Sequence, residues 1–254
     1  LSLFFISKNR MPLPNKLGLP KICIPSYNRP ELLKSKTISF LEQSEYPSEL
    51  IYIFVSDETE RLRYQTVLPG YQLIIGVPGL KAQRKFISDW LQDDEIYLSM
   101  DDDIDGVKGK SFLSLISDGM NHLQTRQTGL WGILPKDDAR CFKDDTTTHL
   151  SFIIGCLFLC RNHKDIVLEG PCETDDYERS ILYFLRYGAV YRYRGAGVKT
   201  KFLGTSGGST DTERRKIEAV QGLLLRFPGL CSYRDKGGIA DLQLNWRFKI
   251  LPRV

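Results

Sequence analysis

The sequence has few of the features that identify a class at a glance. Its six cysteines, Cys23, Cys141, Cys156, Cys160, Cys172 and Cys231, show no zinc spacing and are sparse for a secreted disulfide scaffold. Cys23 and Cys156 lie inside apolar runs, as buried thiols in a reducing compartment would. The three histidines, His122, His149 and His163, are isolated from one another. No apolar run reaches the length of a membrane span, so the expected setting is cytoplasmic, with no membrane partner. No G-x-x-x-x-G-K-[ST] loop occurs, and no G-x-G-x-x-G follows the first strand, which weakens kinase-like and dinucleotide-dependent redox readings. Charge bias is slight: 35 Lys and Arg against 31 Asp and Glu leave a net +4. That permits an anionic ligand or nucleic acid without demanding either.

What is present suits a folded α/β protein. The 254 residues, 42% hydrophobic and 26% charged, fit one large α/β domain or one domain with a small extension. Residues 1–20 are expected to be an extension: a short apolar patch, then the Pro-rich Met11–Pro20, with Met11 a candidate start. From Lys21 the chain alternates short apolar runs with helical segments. Strands are expected at Lys21–Pro25, Leu50–Val55, Gln72–Val77 and Glu95–Met100. Helices are expected at Glu31–Gln43, after Asp57-Glu58, and from Pro78-Gly79-Leu80 through Trp90. This alternation predicts a mainly parallel sheet covered on both faces, with the four strand C-termini on one edge.

The most informative stretch is Glu95–Ile104, where a strand runs into Asp101-Asp102-Asp103. Adjacent carboxylates repel one another unless a cation sits among them. Oxygen ligands without nearby Cys or His suit Mg²⁺ or Mn²⁺, which share their shells with substrate phosphates. The bland alternative is a solvated acidic turn. Asp103, last of the triplet, is the leading direct ligand, with Asp101 second; Asp101 and Asp102 are alternatively placed on ribose, sugar hydroxyls or supporting amides. Ser26, Tyr27, Arg29, Asp57, Lys81 and Arg84 all follow strand C-termini, so they converge on the same edge. Lys81 and Arg84 suit phosphate oxygens near a helix N-terminus, Tyr27 a stacked base, and Asp57 a base N–H or ribose hydroxyl. Each taken alone reads equally well as a surface polar side chain.

Ile24-Pro25-Ser26-Tyr27-Asn28-Arg29-Pro30, Val55-Ser56-Asp57, Gly79–Arg84 and Leu98–Ile104 resemble successive motifs of a GT-A nucleotide-sugar glycosyltransferase. Within that superfamily the chain most resembles the TET/JBP-associated glycosyltransferases of phages, large DNA viruses and some eukaryotes. Gly129–Pro135, Phe152–Gly155, Asp175–Ser180, Lys199–Lys201 and Gly207-Gly208 add to the likeness, which spans roughly residues 21–230. The resemblance implies a GT-A domain over residues 21–250, with a nucleotide-sugar half at 21–110 and an acceptor and catalytic half at 111–250. Pro25 joins the nucleotide-sugar residues already named. Asp175 falls at the Glu and Asp176 at the Asp of the Glu-Asp-x-Asp pattern of inverting enzymes, making Asp176 the expected base and Asp175 the other catalytic carboxylate. Acidic residues opening a helix also have a capping explanation.

The resemblance further implies a UDP-sugar donor and 5-hydroxymethylpyrimidine in DNA as acceptor, in host cytoplasm or nucleus if the protein is viral. Trp131, Gly155, Arg192, Arg194 and Lys201 are the acceptor-side candidates. Arg179, Arg186, Arg192, Arg194, Lys199 and Lys201, interleaved with tyrosines, suit a nucleic-acid backbone, against the plainer reading of a strand with a polar face. Thr205–Ser209 is expected to be a mobile loop. A transferase acting on a glycan, protein or small molecule is the near alternative, and a non-catalytic nucleic-acid-binding protein the distant one.

Overall fold

The computed structural model describes residues 18–200, 213–235 and 240–249. Most of the expected extension, Lys201 and the Thr205–Ser209 loop lie outside the described residues.

The first strand, β1 (Lys21–Pro25), leads into helical residues that start with Pro30 at the first helical position, where its missing N–H is no loss. These are α1 (Pro30–Leu33), a π-helical turn at Lys34–Ile38 and α2 (Ser39–Gln43). There follow β2 (Ile51–Val55), α3 (Glu58–Val67), β3 (Gln72–Ile75), α4 (Leu80–Trp90) and β4 (Ile96–Met100). After the acidic triplet come β5 (Ile104–Lys108), α5 (Phe112–Gln124), β6 (Leu130–Leu134), β7 (Thr146–Thr147) and β8 (Leu157–Arg161). The chain continues through α6 (Asp175–Tyr187), β9 (Tyr191–Thr200) and α7 (Glu213–Arg226) to the hairpin β10 (Cys231–Asp235) and β11 (Ala240–Leu244).

The central sheet runs β3-β2-β1-β4-β8-β6-β9-β5, with β7 paired to β9. The strands β3, β2, β1 and β4 are mutually parallel, so their C-termini share one edge. β8 reverses direction against both β4 and β6, which makes the sheet mixed. Side-chain alternation divides the core. Ile22, Ile24, Ile51 and Ile53 pack with Leu33, Leu41, Tyr64 and Leu115, under α1, α2, α3 and α5. Cys23, Tyr52 and Phe54 pack on the opposite face with Ile87, Ile181, Phe184 and Val220, under α4, α6 and α7.

The departures from expectation have local causes. Residues 151–154, although apolar in the main, form no strand before β8, and the Ile153 N–H bonds Ser180 Oγ on α6. β5 and β10 carried no alternation long enough to announce them. β9 is long, reaching Thr200, because its second half pairs with β5.

Candidate active site

The parallel edge gathers most of the polar residues singled out in the sequence. Ser26 leaves β1 buried, and its Oγ donates to Asp102 Oδ2 at 2.5 Å. Tyr64 OH lies 2.7 Å from the same Oγ and accepts the Arg29 backbone N–H at 3.0 Å. With the serine proton directed at Asp102, Tyr64 must donate to Ser26. Burial pushes the Tyr64 phenol up to about 12. Arg29 grips Asp102 twice, Nε to Oδ2 at 3.1 Å and Nη2 to Oδ1 at 2.5 Å. Asp102 is fully buried and both its oxygens are engaged, so the expectation that it meets ribose is corrected. It fixes Ser26 and Arg29. Burial lifts its carboxyl to about 7, against the pull of Arg29 and Ser26.

Asp101 and Asp103 turn elsewhere. Asp101, half-buried, accepts from Arg84 Nη2 at 3.3 Å. Burial raises its carboxyl, Arg84 opposes that rise, and the Asp103 charge adds to it. Asp103 Oδ1 accepts from Thr200 Oγ1 at 3.2 Å. Thr37 staples the turn, donating to the Asp101 carbonyl at 2.8 Å and accepting the Ile104 N–H at 2.9 Å.

Arg84, on the first turns of α4, joins the two halves of the site. Its Nη1 bonds Asp175 Oδ2, and its Nη2 also donates to the Gly155 carbonyl at 3.1 Å. Arg179, one helical turn beyond Asp175, donates to the same oxygen at 3.1 Å. Burial opposes ionisation of Asp175, but Arg84 and Arg179 outweigh it and hold that carboxyl well below its ordinary range. Asp176 behaves oppositely. Burial and the adjacent Asp175 charge raise it well above the ordinary carboxylate value. Its Oδ2 accepts the Gly155 N–H at 2.9 Å. The three acids opening α6 therefore reach sideways: Glu178 accepts from the Glu169 and Gly170 amides, and Thr174, the residue before the helix, makes no side-chain cap.

The remaining candidates are distributed less tightly. Pro25 is buried at the end of β1. Tyr27 is 56% exposed, with its ring available to a ligand. Asp57 caps α3, accepting the Glu60 N–H at 2.9 Å, and this bond with that from Ser56 holds its carboxyl low. Lys81 Nζ donates to the Glu169 carbonyl at 2.8 Å. Trp131 is 1% exposed in the core beside Gly119, which corrects the expectation that it meets an acceptor. Arg194 bonds Asp145 through both Nε and Nη2, Arg186 bonds Asp165, and Arg179 is buried. The anticipated basic surface is thus largely neutralised. Arg192 donates to the Phe152 carbonyl at 3.3 Å, and burial lowers its guanidinium. Sequence reasoning missed Tyr64 and Thr37, which act through single hydroxyls and carry no pattern, and gave Thr200 no role of its own within Lys199–Lys201. Arg179 was placed on the surface, although its spacing of four from Asp175 was a readable helical signal.

No group of three His, Cys, Asp or Glu side chains arranged to hold a metal occurs among the described residues. Asp101 and Asp103 nonetheless fit a hard divalent ion. They are two neighbouring, half-buried carboxylates, the charge of Asp103 opposing ionisation of Asp101, and Mg²⁺ commonly takes one or two carboxylates with phosphates and waters completing its shell.

No protein-family profile matches the sequence, and no curated protein does. Solved structures do. A mycobacterial protein is 13% identical, with 90% of this chain and 84% of that one covered at a TM-score of 0.54. Glucosyl-3-phosphoglycerate synthase from Mycobacterium tuberculosis, in complex with Mn²⁺, UDP-glucose and phosphoglyceric acid, is 13% identical. It covers 86% of this chain and 85% of its own at a TM-score of 0.53. The fold is GT-A. A mannosyltransferase from Pyrobaculum calidifontis, in complex with GDP-Man and Mn²⁺, is also similar at 13% identity and a TM-score of 0.49, covering 82% of this chain. The chain spans 64% of that protein's length, just under two thirds. Among the described residues, no helix is long and apolar enough to cross a membrane.

Proposed function

We propose that the protein is an inverting, divalent-metal-dependent glycosyltransferase that moves a sugar from a nucleotide sugar to an acceptor hydroxyl. The observation that carries this reading is the meeting, through Arg84, of Asp101 after β4 with Asp175 at the start of α6. In an open α/β sheet, that edge is where ligands bind. The similar fold of glucosyl-3-phosphoglycerate synthase, bound to UDP-glucose, supports the donor class.

In this reading Asp176 is the general base. Its raised carboxyl suits proton abstraction nearer neutral pH than an ordinary aspartate would allow. Asp175, clamped by two arginines on its Oδ2, serves to position Arg84 and Arg179. The acceptor oxygen, freed of its proton to Asp176, attacks the anomeric carbon as the bond to the diphosphate breaks on the opposite face, so configuration inverts. Asp103 and Asp101 would hold Mg²⁺ or Mn²⁺, which when bound supplies charge neutralisation on the diphosphate. Arg84 and Lys81 add positive charge on the same side. Ser26, Tyr27, Arg29 and Asp57 remain the proposed nucleotide side, with Arg29 oriented by Asp102. The proposed division places nucleotide-sugar binding in 21–110 and catalysis in 111–250.

The sequence resemblance supports hydroxymethylated pyrimidine in DNA, with Gly155, Arg192, Arg194 and Lys201 on the acceptor side. The ion pairs of Arg186 and Arg194 favour the alternative of a small-molecule or glycan acceptor. The test is incubation with a panel of UDP- and GDP-sugars and Mn²⁺, with hydroxymethylated DNA or small hydroxyl acceptors, read by mass spectrometry and nucleotide release. Metal-dependent release of nucleoside diphosphate is expected; its absence with every donor overturns the reading. Transfer to DNA, or to small acceptors only, decides the acceptor.

A further inference from the structure

Beside the polar edge lies a cavity of about 610 Å³ whose apolar interior has no part in the proposed transfer. It opens between α4 and the segment 163–168, and its floor is the face of β4 and β8 presented by Tyr97, Ser99, Phe158 and Cys160. Its size and mainly apolar lining are those of sites that enclose drug-sized molecules. The segment roofing it is pinned: Glu178 accepts from the Glu169 and Gly170 amides at 2.8 Å each, and Lys81 holds the Glu169 carbonyl.

Cations outnumber carboxylates among the lining residues. Lys81, Arg84, Lys85 and Arg179 line it, with Asp175 the single carboxylate among the lining residues. Lys85 also pairs with Asp89 on the outer surface of α4. Arg84 Nε and Arg179 Nη1 are buried with no hydrogen-bond acceptor among the described residues. Arg179 Nη1 has only a 3.8 Å approach to Asp176 Oδ1, too long for a hydrogen bond. Buried guanidinium N–H groups without acceptors are costly and call for a partner. Arg179 further lies 4.2 Å from the Phe158 ring centroid, so its cation borders the apolar floor.

We propose that this cavity is a binding site for a free amphipathic organic anion. An apolar body rests on Tyr97 and Phe158, and a single carboxylate-type head meets Arg84 and Arg179. This site adjoins the proposed nucleotide-sugar side and shares Lys81 and Arg84 with it, but its test needs neither donor nor metal, so its failure is distinguishable from failure of the proposed transferase activity.

The probe is 8-anilinonaphthalene-1-sulfonate, an aromatic sulfonate whose fluorescence rises on apolar burial, titrated into the full chain. Sodium decanoate below its micellar concentration and decanol are the competitors. Saturable fluorescence is expected, displaced by decanoate at least about fivefold more effectively than by decanol, a modest share of a charge-assisted contact. Val167→Trp, at the exposed rim, and Ser99→Phe, on the floor, should each reduce saturable binding. Val167→Trp carries little folding risk because Val167 is 44% exposed. Lys85→Glu should weaken decanoate and leave decanol unchanged. Equal displacement by decanol overturns the anionic head. Unaltered probe binding in the Val167→Trp variant overturns the location. Displacement by UDP with decanoate inert overturns the proposal by making the cavity part of the donor site.

Discussion

Gly155 lies directly beneath Asp176: its amide donates to Oδ2 at 2.9 Å, and a Cβ on Gly155 would fall 2.2 Å from Oδ1. The glycine is thus required for close approach of a carboxylate, and its own carbonyl is held by Arg84. Gly155→Ala must displace the proposed base. The expected result is a fall in kcat of about 10²-fold, the scale of a misplacement near 1 Å. Overpacking should add a stability loss of about 1–3 kcal/mol, read from urea denaturation. Unchanged kcat in a folded variant would remove Asp176 from the chemistry.

Asp176 gives the reaction a pH signature. Its carboxyl lies well above the ordinary range because of burial first and the Asp175 charge second. A base must be ionised to act, so turnover should decline as pH drops through that raised value. The stability effect has the opposite slope. A folded-state pKa above the unfolded one favours the native protein at pH below the unfolded value, and this advantage fades as pH rises through the folded value. Asp176→Asn should lower kcat by about 10²-fold or more with donor affinity retained, and it should flatten that segment of the stability profile. Measuring kcat and Tm across pH for both proteins checks the two limbs together.

Asp175→Asn separates positioning from catalysis. The carboxylate is 4% exposed and balances Arg84 and Arg179, so its loss leaves two buried cations short of a partner. A destabilisation of about 3–5 kcal/mol is expected. Losing the Asp175 charge should also lower the Asp176 pKa, moving the acid limb of kcat to lower pH. A normal pH limb in a destabilised variant would mean the two carboxylates are not coupled.

The acceptor question can be addressed through one ion pair. Arg194 is bonded to Asp145 through two nitrogens, so Arg194→Ala should change the salt slope of any DNA binding by less than about one unit, the value of one phosphate contact. Asp145→Ala, which frees that guanidinium, should steepen the slope. A full unit lost on Arg194→Ala would show that DNA displaces Asp145.

Period and order carried most of the fold into the sequence. Four apolar runs with intervening helices were enough to place Ser26, Asp57, Arg84 and Asp101 on one edge, because parallel strands with regular crossovers leave no other arrangement. Side-chain partners were not legible. Nothing in Arg192-Tyr193-Arg194 announces that Asp145, on a distant loop, neutralises one of its cations. Nor does Leu130-Trp131-Gly132 show which face of β6 enters the core, since a strand buried on both faces loses its alternation.

The acidic triplet yields the sharpest contrast between neighbours. Asp102 is fully buried, with Ser26 on one oxygen and Arg29 on both, whereas Asp103 is half-buried and bonded to Thr200. Asp102→Asn therefore removes a buried charge-assisted network, and its cost should be about 1.5–3 kcal/mol with donor binding weakened through a loosened Arg29. Asp103→Ala removes a carboxylate from the rim, and stability should stay within about 0.5 kcal/mol. Turnover should respond in the reverse order: Asp103→Ala should abolish its dependence on Mn²⁺ together with the activity, while Asp102→Asn should keep a Mn²⁺ requirement at reduced rate. Thermal melts and Mn²⁺ titrations of both variants read the two effects independently. Full activity of Asp103→Ala, or of the wild type in excess chelator, would show that this carboxylate holds no metal.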